Sequence, residues 1–155
     1  MPTQRYGITF PFIDSQEGFF LGLNSTITSE ARSNLVHLIL TVKGSRYFLP
    51  NFGTNLVKYI FDQMDQTTKI AIDREIREAV KEFIPNLRIS KVEVKTYEDV
   101  KEEEKHNLQS KDPSLDDNTF SFVSDKQKDY TIRVRIDYSA GDNLFETRDF
   151  VIITL

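Results

Sequence analysis

Strict two-residue alternation in one segment constrains the fold of this chain more than any other feature of its sequence. Apolar residues occupy every second position at Tyr130, Ile132, Val134, Ile136 and Tyr138, with polar or charged residues between them. Successive side chains of a strand point to opposite faces of a sheet, so this segment predicts a strand with one face in a core and the other in water. Other elements of the chain must therefore cover the apolar face.

A second strand is predicted after a hairpin turn at Ala140-Gly141-Asp142-Asn143. It runs from about Phe145 to Leu155, and its last six residues, Phe150 to Leu155, are apolar on both faces. Two interpretations stay open. The segment is either a central strand that the chain covers on both sides, or a surface that another subunit completes during assembly.

Two amphipathic helices are predicted ahead of these strands. The first follows Thr28, whose side-chain oxygen can accept a backbone N–H group of the first helical turn. The second runs from about Asp65 to Phe83 and ends there, because the residue before Pro85 is disfavoured in a helical conformation. The apolar face of the first helix comprises Ala31, Leu35, Leu38, Ile39 and Val42.

Shorter elements complete the pattern. A short helix capped by Thr54 is predicted to carry apolar residues between positions 56 and 61. Residues 8–12 alternate as in a short strand, and Pro11 favours an edge position because proline cannot donate to a ladder. Residues 120–122 open a further short strand.

The predicted strand from Leu87 to Tyr97 changes the parity of its apolar residues. A β-bulge near Ser90-Lys91 would bring them all to one face. The helices precede most strands, which predicts one α+β domain over residues 1–155: a small, mostly antiparallel sheet with two main helices and one short helix packed on it. The apolar positions of this strand are Leu87, Ile89, Val92 and Val94.

Most of the net charge lies in one segment. Residues 98–118 contain eight acidic and three basic residues, a net charge of −5, whereas the whole chain carries −4. We interpret this segment as an inserted acidic loop, solvated or disordered. Binding of nucleic acid requires a basic stripe, and the rest of the sequence is nearly neutral, so we expect no nucleic-acid partner.

The residue types also limit the chemistry. The chain has no cysteine, which excludes thiolate nucleophiles and cysteine-based zinc sites. His106 lies four residues after Glu102, but a lone imidazole beside acidic residues is usually solvated, so we predict no metal and no cofactor.

No stretch reaches the roughly 18 apolar residues of a membrane span, and the N-terminal residues lack a signal-peptide pattern. We expect a cytoplasmic chain without a membrane partner.

No group of residues predicts a reaction. A glycosidase needs two carboxyl groups that flank a cleft, one of them with a raised pKa. Residues 102–104 provide carboxyl groups only within the acidic segment. We therefore predict no catalytic residue. The remaining candidates, on the polar side of the second helix, are Glu75, Glu78 and Glu82.

Three segments occur in a specific order: YGITFPF, then LNSTITSEARSNLVHLILTVKGSRYFLPNFGTNLVKYIF, then REAVKEFIPNLRISKVEV. Together they resemble the GPW-type baseplate wedge proteins of contractile-tailed phages, a family also called sheath initiators and historically labelled tail lysozymes. The resemblance covers residues 5–97, and residues 130–155 by strand pattern only. Its most specific part is the helix that leads into Gly44 and Arg46, followed by Pro50 and Phe52-Gly53-Thr54.

The resemblance implies a structural subunit of the virion, in the tail baseplate, and not an enzyme. Its partners would be other baseplate wedge subunits, the tail tube and the tail sheath protein, in a sixfold assembly with several copies that forms in the host cytoplasm. It would join wedge subunits to the tube and template the first sheath ring by β-strand augmentation. A peptidoglycan-degrading tail lysozyme, a muramidase, stays the alternative. The expected partner-binding residues are Arg46, Pro50, Phe52, Gly53, Pro85, Arg88, Phe150, Ile152 and Leu155.

Two positions depart from the family pattern. Ser45 stands where such proteins typically have an acidic residue before the loop arginine, and Ile84-Pro85-Asn86 stands where they have Glu-Pro-Arg. The proline and its turn are retained, but the ion-pairing groups are not. The sequence leaves open whether the tail belongs to a phage, a secretion apparatus or another injection device.

Overall fold

The computed structural model describes residues 7–15, 20–96, 99, 119–121, 132–140 and 147–155. In these residues the chain forms two α-helices, one 3₁₀ helix and four strands. The helices are α1 (Ile27–Leu40), the 3₁₀ helix (Leu56–Phe61) and α2 (Gln66–Phe83). The strands are β1 (Leu87–Thr96), β2 (Thr119–Ser121), β3 (Ile132–Ala140) and β4 (Thr147–Thr154).

The four strands form one sheet in the order β1-β3-β4-β2. β3 is antiparallel to both of its neighbours, whereas β2 is parallel to β4 and pairs with it over Ile152–Thr154. The predicted α+β class is confirmed, with two main helices, one short helix and a mostly antiparallel sheet. β4 lies inside the sheet, so over Ile152–Thr154 it does not offer the free margin that β-strand augmentation requires.

The predicted bulge in β1 is present. The register of β1 against β3 shifts between Ile89 and Lys91, so Ser90 is the extra residue. Ile89 lies opposite Tyr138 before the bulge and Val92 lies opposite Ile136 after it. The shift therefore keeps the apolar residues of β1 on the face that β3 turns toward the core.

The core lies between this sheet face and the helices. The alternation that dominates the sequence is visible in β3, where Val134 and Ile136 have no exposed surface. In β4 both faces are covered near the end of the strand, as the central-strand interpretation requires: Val151 and Ile153 are fully buried in the core, and Ile152, on the opposite face, is 6% exposed. Val36, which the helical pattern did not mark, is also fully buried.

One polar cluster links α1 to the sheet beside this core. The Tyr138 hydroxyl donates to Asp149 Oδ2 at 3.1 Å, and Arg32 Nε of α1 lies 3.7 Å from the same oxygen. Burial, and after it the negative charge of Asp149, raises the pKa of the Tyr138 phenol far above its usual value. Tyr138 therefore remains a neutral hydrogen-bond donor in the folded protein.

The start of α1 differs from the prediction. Thr26, not Thr28, is the N-cap, and its Oγ1 accepts the backbone N–H of Ser29 at 3.1 Å, while the Ser29 side chain caps in return. At the other end the helix stops at Leu40, so Val42 leaves the predicted apolar face and is 43% exposed. The reciprocal cap satisfies two N–H groups, which a cap at Thr28 would not do.

The predicted cap at Thr54 is also wrong. Thr54 is 1% exposed, and its Oγ1 donates to the carbonyl oxygen of Ile39, near the end of α1, at 2.7 Å. Asn55 takes the cap position of the 3₁₀ helix without a side-chain hydrogen bond. In that helix Leu56 is buried as predicted, but Phe61 is 84% exposed.

The N-terminal strand is reduced to two isolated antiparallel bridges, Ile8 with Leu23 and Asp14 with Leu21. The predicted strand at residues 120–122 is found as β2, of which position 122 lies outside the described residues. The predicted hairpin turn beyond Ala140 and the acidic segment 98–118, apart from Asp99, also lie outside them.

Replacing Thr54 by valine tests the bond between the loop and α1. Valine preserves the shape but leaves the Ile39 carbonyl without its buried donor, so we expect the free energy of unfolding to fall by about 1–3 kcal/mol. Thr67→Val, at an exposed position in the first turn of α2, is the matched control and should change it by less than about 0.5 kcal/mol. Urea unfolding measures the free energy of unfolding of both variants. Equal losses in the two variants would contradict a stabilising bond between Thr54 and Ile39.

Candidate docking surfaces

The segment Thr41–Thr54, here called the aromatic loop, leaves the end of α1 and returns to it. Its base is closed by backbone bonds between Thr54 N and Thr41 O at 2.8 Å and between Lys43 N and Thr54 O at 3.2 Å. Higher in the loop, Gly44 N donates to Pro50 O at 2.8 Å. These bonds satisfy backbone groups inside the loop and hold its shape.

Gly53 makes the closed base possible. Its φ angle is +113°, a conformation that residues with a Cβ rarely adopt, and a Cβ at this position would collide with the backbone oxygen of Thr41. Gly53 is also buried. The glycine that the family resemblance marks as partner-binding therefore has a structural role in the loop, whatever its neighbour in an assembly.

Phe52 anchors the loop to the helices. Its ring lies edge-on to Phe83 at 5.2 Å and tilted to His37 at 5.5 Å, and the guanidinium of Arg46 lies 4.4 Å above it. Phe10 also stacks on His37, at 4.8 Å. The N-terminal segment, α1, the loop and the end of α2 thus meet in one aromatic cluster, and two of the predicted site residues, Arg46 and Phe52, belong to it.

His37 is half-buried at the boundary of the core. Partial burial, and after it the positive charge of Arg46, lowers the pKa of its imidazole from the usual 6.5. A neutral ring packs between aromatic rings without the cost of burying a charge. This environment explains the histidine without a catalytic role.

The tip of the aromatic loop carries apolar residues that contact no core. Tyr47 is 91% exposed and Phe48 is 93% exposed, and their rings touch each other edge-on at 5.2 Å. Leu49 beside them is 46% exposed. These residues are not among those predicted from the sequence to bind partners. The sequence signal for them is a run of three large apolar residues between Gly44 and Pro50, where the neighbouring turn-formers make burial unfavourable.

The remaining predicted site residues occupy several places. Pro50 is exposed in the aromatic loop, and Pro85 is exposed in the turn between α2 and β1. Arg88 is exposed at the start of β1. Phe83, at the end of α2, contacts Phe52, so the loop and the Pro85 turn are joined through one aromatic pair.

The predicted site residues of β4 are more enclosed. Phe150 and Leu155 are half-buried, and the guanidinium of Arg135 lies 4.4 Å from the centre of the Phe150 ring. The Ile152 side chain is almost completely covered within the chain. Exposed surface for a partner is therefore greater at the loop than at β4.

Backbone groups at the margin of β1 form a second candidate surface. β3 lies between β1 and β4, and Ile132 exchanges both backbone bonds with Leu155. The even-numbered residues of β3 thus bond toward β4 and the odd-numbered ones toward β1. It follows from the register that Val92 and Val94, opposite even-numbered residues, direct their N–H and C=O groups away from β3.

Both ends of this margin are blocked by side chains. Arg77 Nη1 donates to the Ile89 carbonyl at 3.1 Å, and Asp99 Oδ2 accepts the Thr96 N–H at 3.0 Å. Between these contacts, the outward backbone groups of Val92 and Val94 have no strand partner in the part of the chain that the structure describes. The open margin is thus a short window in the middle of β1.

Two of the α2 glutamates considered for catalysis, Glu75 and Glu78, have structural partners, and the third, Glu82, is exposed. Glu75 is engaged structurally: Oε1 accepts the Asn55 N–H at 2.5 Å and Oε2 accepts the Tyr59 hydroxyl at 3.1 Å, which fixes the 3₁₀ helix on α2. Glu78 accepts from Arg74 Nε at 2.7 Å, and this hydrogen bond lowers the pKa of its carboxyl. A general acid needs the opposite shift.

Two kinds of feature are absent from the residues that the structure describes. No group of three or more histidine or acidic side chains among them is arranged to hold a metal ion. No helix in the same residues is long and apolar enough to cross a membrane.

The chain is similar to known proteins over its helices and the aromatic loop. The family described as "Baseplate wedge protein gp25" matches residues 26–111, more than half of the chain. The baseplate wedge protein gp25 of Enterobacteria phage T4 is 38% identical over 74 residues, which is 48% of this chain and 51% of that protein. The chain thus matches about half the length of this curated relative.

Two solved structures share the fold. A crystal structure of a candidate tail lysozyme from Geobacter sulfurreducens has a TM-score of 0.57 at 16% identity, over 86% of this chain and 94% of that one. The cryo-EM structure of the anti-feeding prophage baseplate has a TM-score of 0.51 at 19% identity, over 57% and 70%. The match of the family to α1, the aromatic loop, α2 and β1 shows that this chain belongs to the baseplate wedge protein gp25 family.

Proposed function

We propose that the chain is a structural subunit of a contractile-tail baseplate that joins wedge subunits to the tail tube and templates the first sheath ring by β-strand augmentation. Membership of the gp25 family supports the baseplate role. The observation that carries most weight for docking is the aromatic loop: its base is rigid, and two aromatic rings at its tip are more than 90% exposed. Large exposed aromatic residues are typical anchors at protein interfaces.

In this proposal the tip of the aromatic loop inserts into a neighbouring wedge subunit. The loop would lose little conformational entropy on binding, because its backbone bonds and the Phe52 anchor already fix its shape. Burial of two such rings supplies large apolar area at the centre of an interface. Arg46 and Phe52 would then act indirectly, by holding the tip in place.

The double variant Tyr47→Ser, Phe48→Ser tests the loop. Both side chains are outside the core, so we expect the free energy of unfolding to change by less than about 0.5 kcal/mol, while incorporation into baseplates is lost. Co-purification with the other wedge components measures incorporation. Phe61→Ser removes an equally exposed ring elsewhere and is the control. Normal incorporation of the double variant would exclude the loop as the wedge contact.

Sheath templating requires a strand margin that can accept another strand. The window at Val92 and Val94 meets this requirement, because an incoming strand can bond there without displacing a strand of this chain. β4 is a weaker candidate: β2 pairs with it over Ile152–Thr154, and the Phe150 N–H already donates to Asp149 Oδ1 at 2.8 Å. We therefore place the augmentation at β1.

Val94→Pro tests this placement. Proline removes the outward N–H of residue 94 but no bond to β3, and edge strands tolerate proline where the N–H faces away from the sheet. Baseplates should still form with this variant, but sheath should not grow on them. Val94→Ala shortens the side chain and keeps the N–H, so it should permit sheath growth. Electron microscopy of assembled particles distinguishes these results, and sheath on Val94→Pro baseplates would refute augmentation at β1.

The same proposal holds that the chain is not a muramidase. One structural neighbour is described as a candidate tail lysozyme, but that likeness concerns the fold. Glu75 is engaged by the Asn55 N–H and the Tyr59 hydroxyl, and the hydrogen bond from Arg74 lowers the pKa of the Glu78 carboxyl, whereas a general acid needs a raised pKa.

Purified protein should therefore not clear a peptidoglycan suspension, and Glu75→Gln should reduce only its stability. Turbidity measurements with hen egg-white lysozyme as the positive control decide this point. Clearing by the wild-type chain that disappears in Glu75→Gln would establish the muramidase alternative.

The proposed setting is the virion tail, with assembly in the host cytoplasm and several copies around a sixfold axis. The anti-feeding prophage baseplate, whose structure was determined with sixfold symmetry, contains a chain with this fold. A subunit repeated in this way presents six loops and six strand margins in a ring, as a sheath ring would require.

A further inference from the structure

The face of the sheet that points away from the helices carries an unusual charge. Residues directly opposite each other in neighbouring strands share a face, so the register assigns the side chains of this outer face. It carries six basic and two acidic side chains in β1, β3 and β4, a net formal charge of +4 in a chain whose total is −4. The basic ones are Arg88, Lys91, Lys95, Arg133, Arg135 and Arg148 and the acidic ones are Glu93 and Asp137.

The bulge in β1 produces part of this concentration. In a regular strand without a bulge, Arg88 and Lys91 would lie on opposite faces, because they are three positions apart. With it, both residues lie on the outer face, opposite Ser139 and Asp137. The bulge that keeps the apolar residues of β1 on the inner face thus also places Arg88 and Lys91 together on the outer face.

The two acidic residues do not neutralise the face. Glu93 is paired with Lys91, and Asp137 accepts from Arg135 Nε at 3.0 Å. Arg88, Arg133 and Arg148 have no acidic partner in the part of the chain that is described. Arg88 and Arg148 are exposed and Arg133 is half-buried, whereas Ser139 and Ile152 on the same face are buried.

We propose that this outer sheet face binds an extended acidic segment of a partner protein. Along β3, outer-face residues recur at roughly 6.6–6.8 Å, the same spacing at which alternate side chains of an extended peptide recur. A peptide with a carboxylate at every second position can therefore place carboxylates beside Arg133 and Arg135 at one end of β3. At the other end, Arg88 and Arg148 flank Ser139 from the two neighbouring strands. Guanidinium groups suit this task because they bind carboxylates through two parallel hydrogen bonds.

A protein partner fits better than a nucleic acid. Single-stranded nucleic acid needs open aromatic rings for its bases, but the Phe150 ring is covered by the Arg135 guanidinium at 4.4 Å. This surface is distinct from the aromatic loop and from the margin of β1, so its function does not depend on the proposals made for them.

The experiment measures fluorescence anisotropy of a labelled peptide of about ten residues that alternates Glu and Thr, with the full chain as receptor. We expect saturable binding that weakens between about 0.05 and about 0.2 M salt. The variant Arg133→Glu, Arg148→Glu should weaken binding about tenfold or more. Lys43→Glu, Lys81→Glu makes the same change in net charge at exposed positions outside the sheet and should weaken it less than about twofold.

Circular dichroism establishes that each variant is folded, and Arg88→Glu, at an exposed position, provides a second test if the double variant is not. Tighter binding of oligodeoxythymidylate than of the Glu peptide would overturn the proposal in favour of a nucleic acid. Binding that occurs only after Glu102, Glu103 and Glu104 are changed to Gln would also overturn it, because the chain's own acidic segment would then be the occupant. No binding under either condition would overturn it as well.

Discussion

The packing of the apolar face of β3 against the helices is the interaction on which the other features depend. Val134 and Ile136 are fully buried, and the strand lies between β1 and β4, so its alternation defines an inner and an outer face for the whole sheet. The inner face then requires α1 and α2 as cover. The polar cluster of Tyr138, Asp149 and Arg32 lies at the edge of this core and links β3, β4 and α1.

Once the helices are packed on the sheet, the connection between them is constrained at both ends. The aromatic loop must leave α1 and reach the 3₁₀ helix in a short distance, and the Gly53 conformation and the Thr54–Ile39 bond achieve this. The rings that could have been buried, Tyr47 and Phe48, are then left at the far end of a rigid loop. In the proposed function, stability of the fold and presentation of the docking residues are therefore two results of one packing arrangement.

Much of the fold could be predicted from periodicity. The two-residue alternation of β3, the helix from Asp65 to Phe83 and the parity change at Ser90 are local patterns, and each has one physical interpretation. The cap of α1 and the role of Thr54 could not be predicted in this way. Ser25, Thr26, Thr28 and Ser29 all lie near the start of α1, and the reciprocal bonds between Thr26 and Ser29 decide the cap. The role of Thr54 depends on its tertiary bond to Ile39.

The candidate site also combines residues that the sequence pointed to with residues that only the structure identifies. The family resemblance drew attention to Arg46, Phe52 and Gly53, and the structure explains them through ring contacts and backbone geometry inside the chain. The exposed residues beside them, Tyr47 and Phe48, have the same composition as core residues, so hydrophobicity alone does not distinguish them. The basic outer face could not be seen in the sequence, because the pairing of three distant strands brings its residues together.

The two side-chain contacts that flank the middle of β1 have a further consequence for the free subunit. A long unpaired strand margin invites pairing in many registers and with many chains, including other copies of the same protein. Arg77 and Asp99 leave only a few backbone groups available, too few to hold two such margins together by themselves. In the proposed function, a newly made subunit would thus remain separate until it meets a strand that additional contacts bring to the correct position.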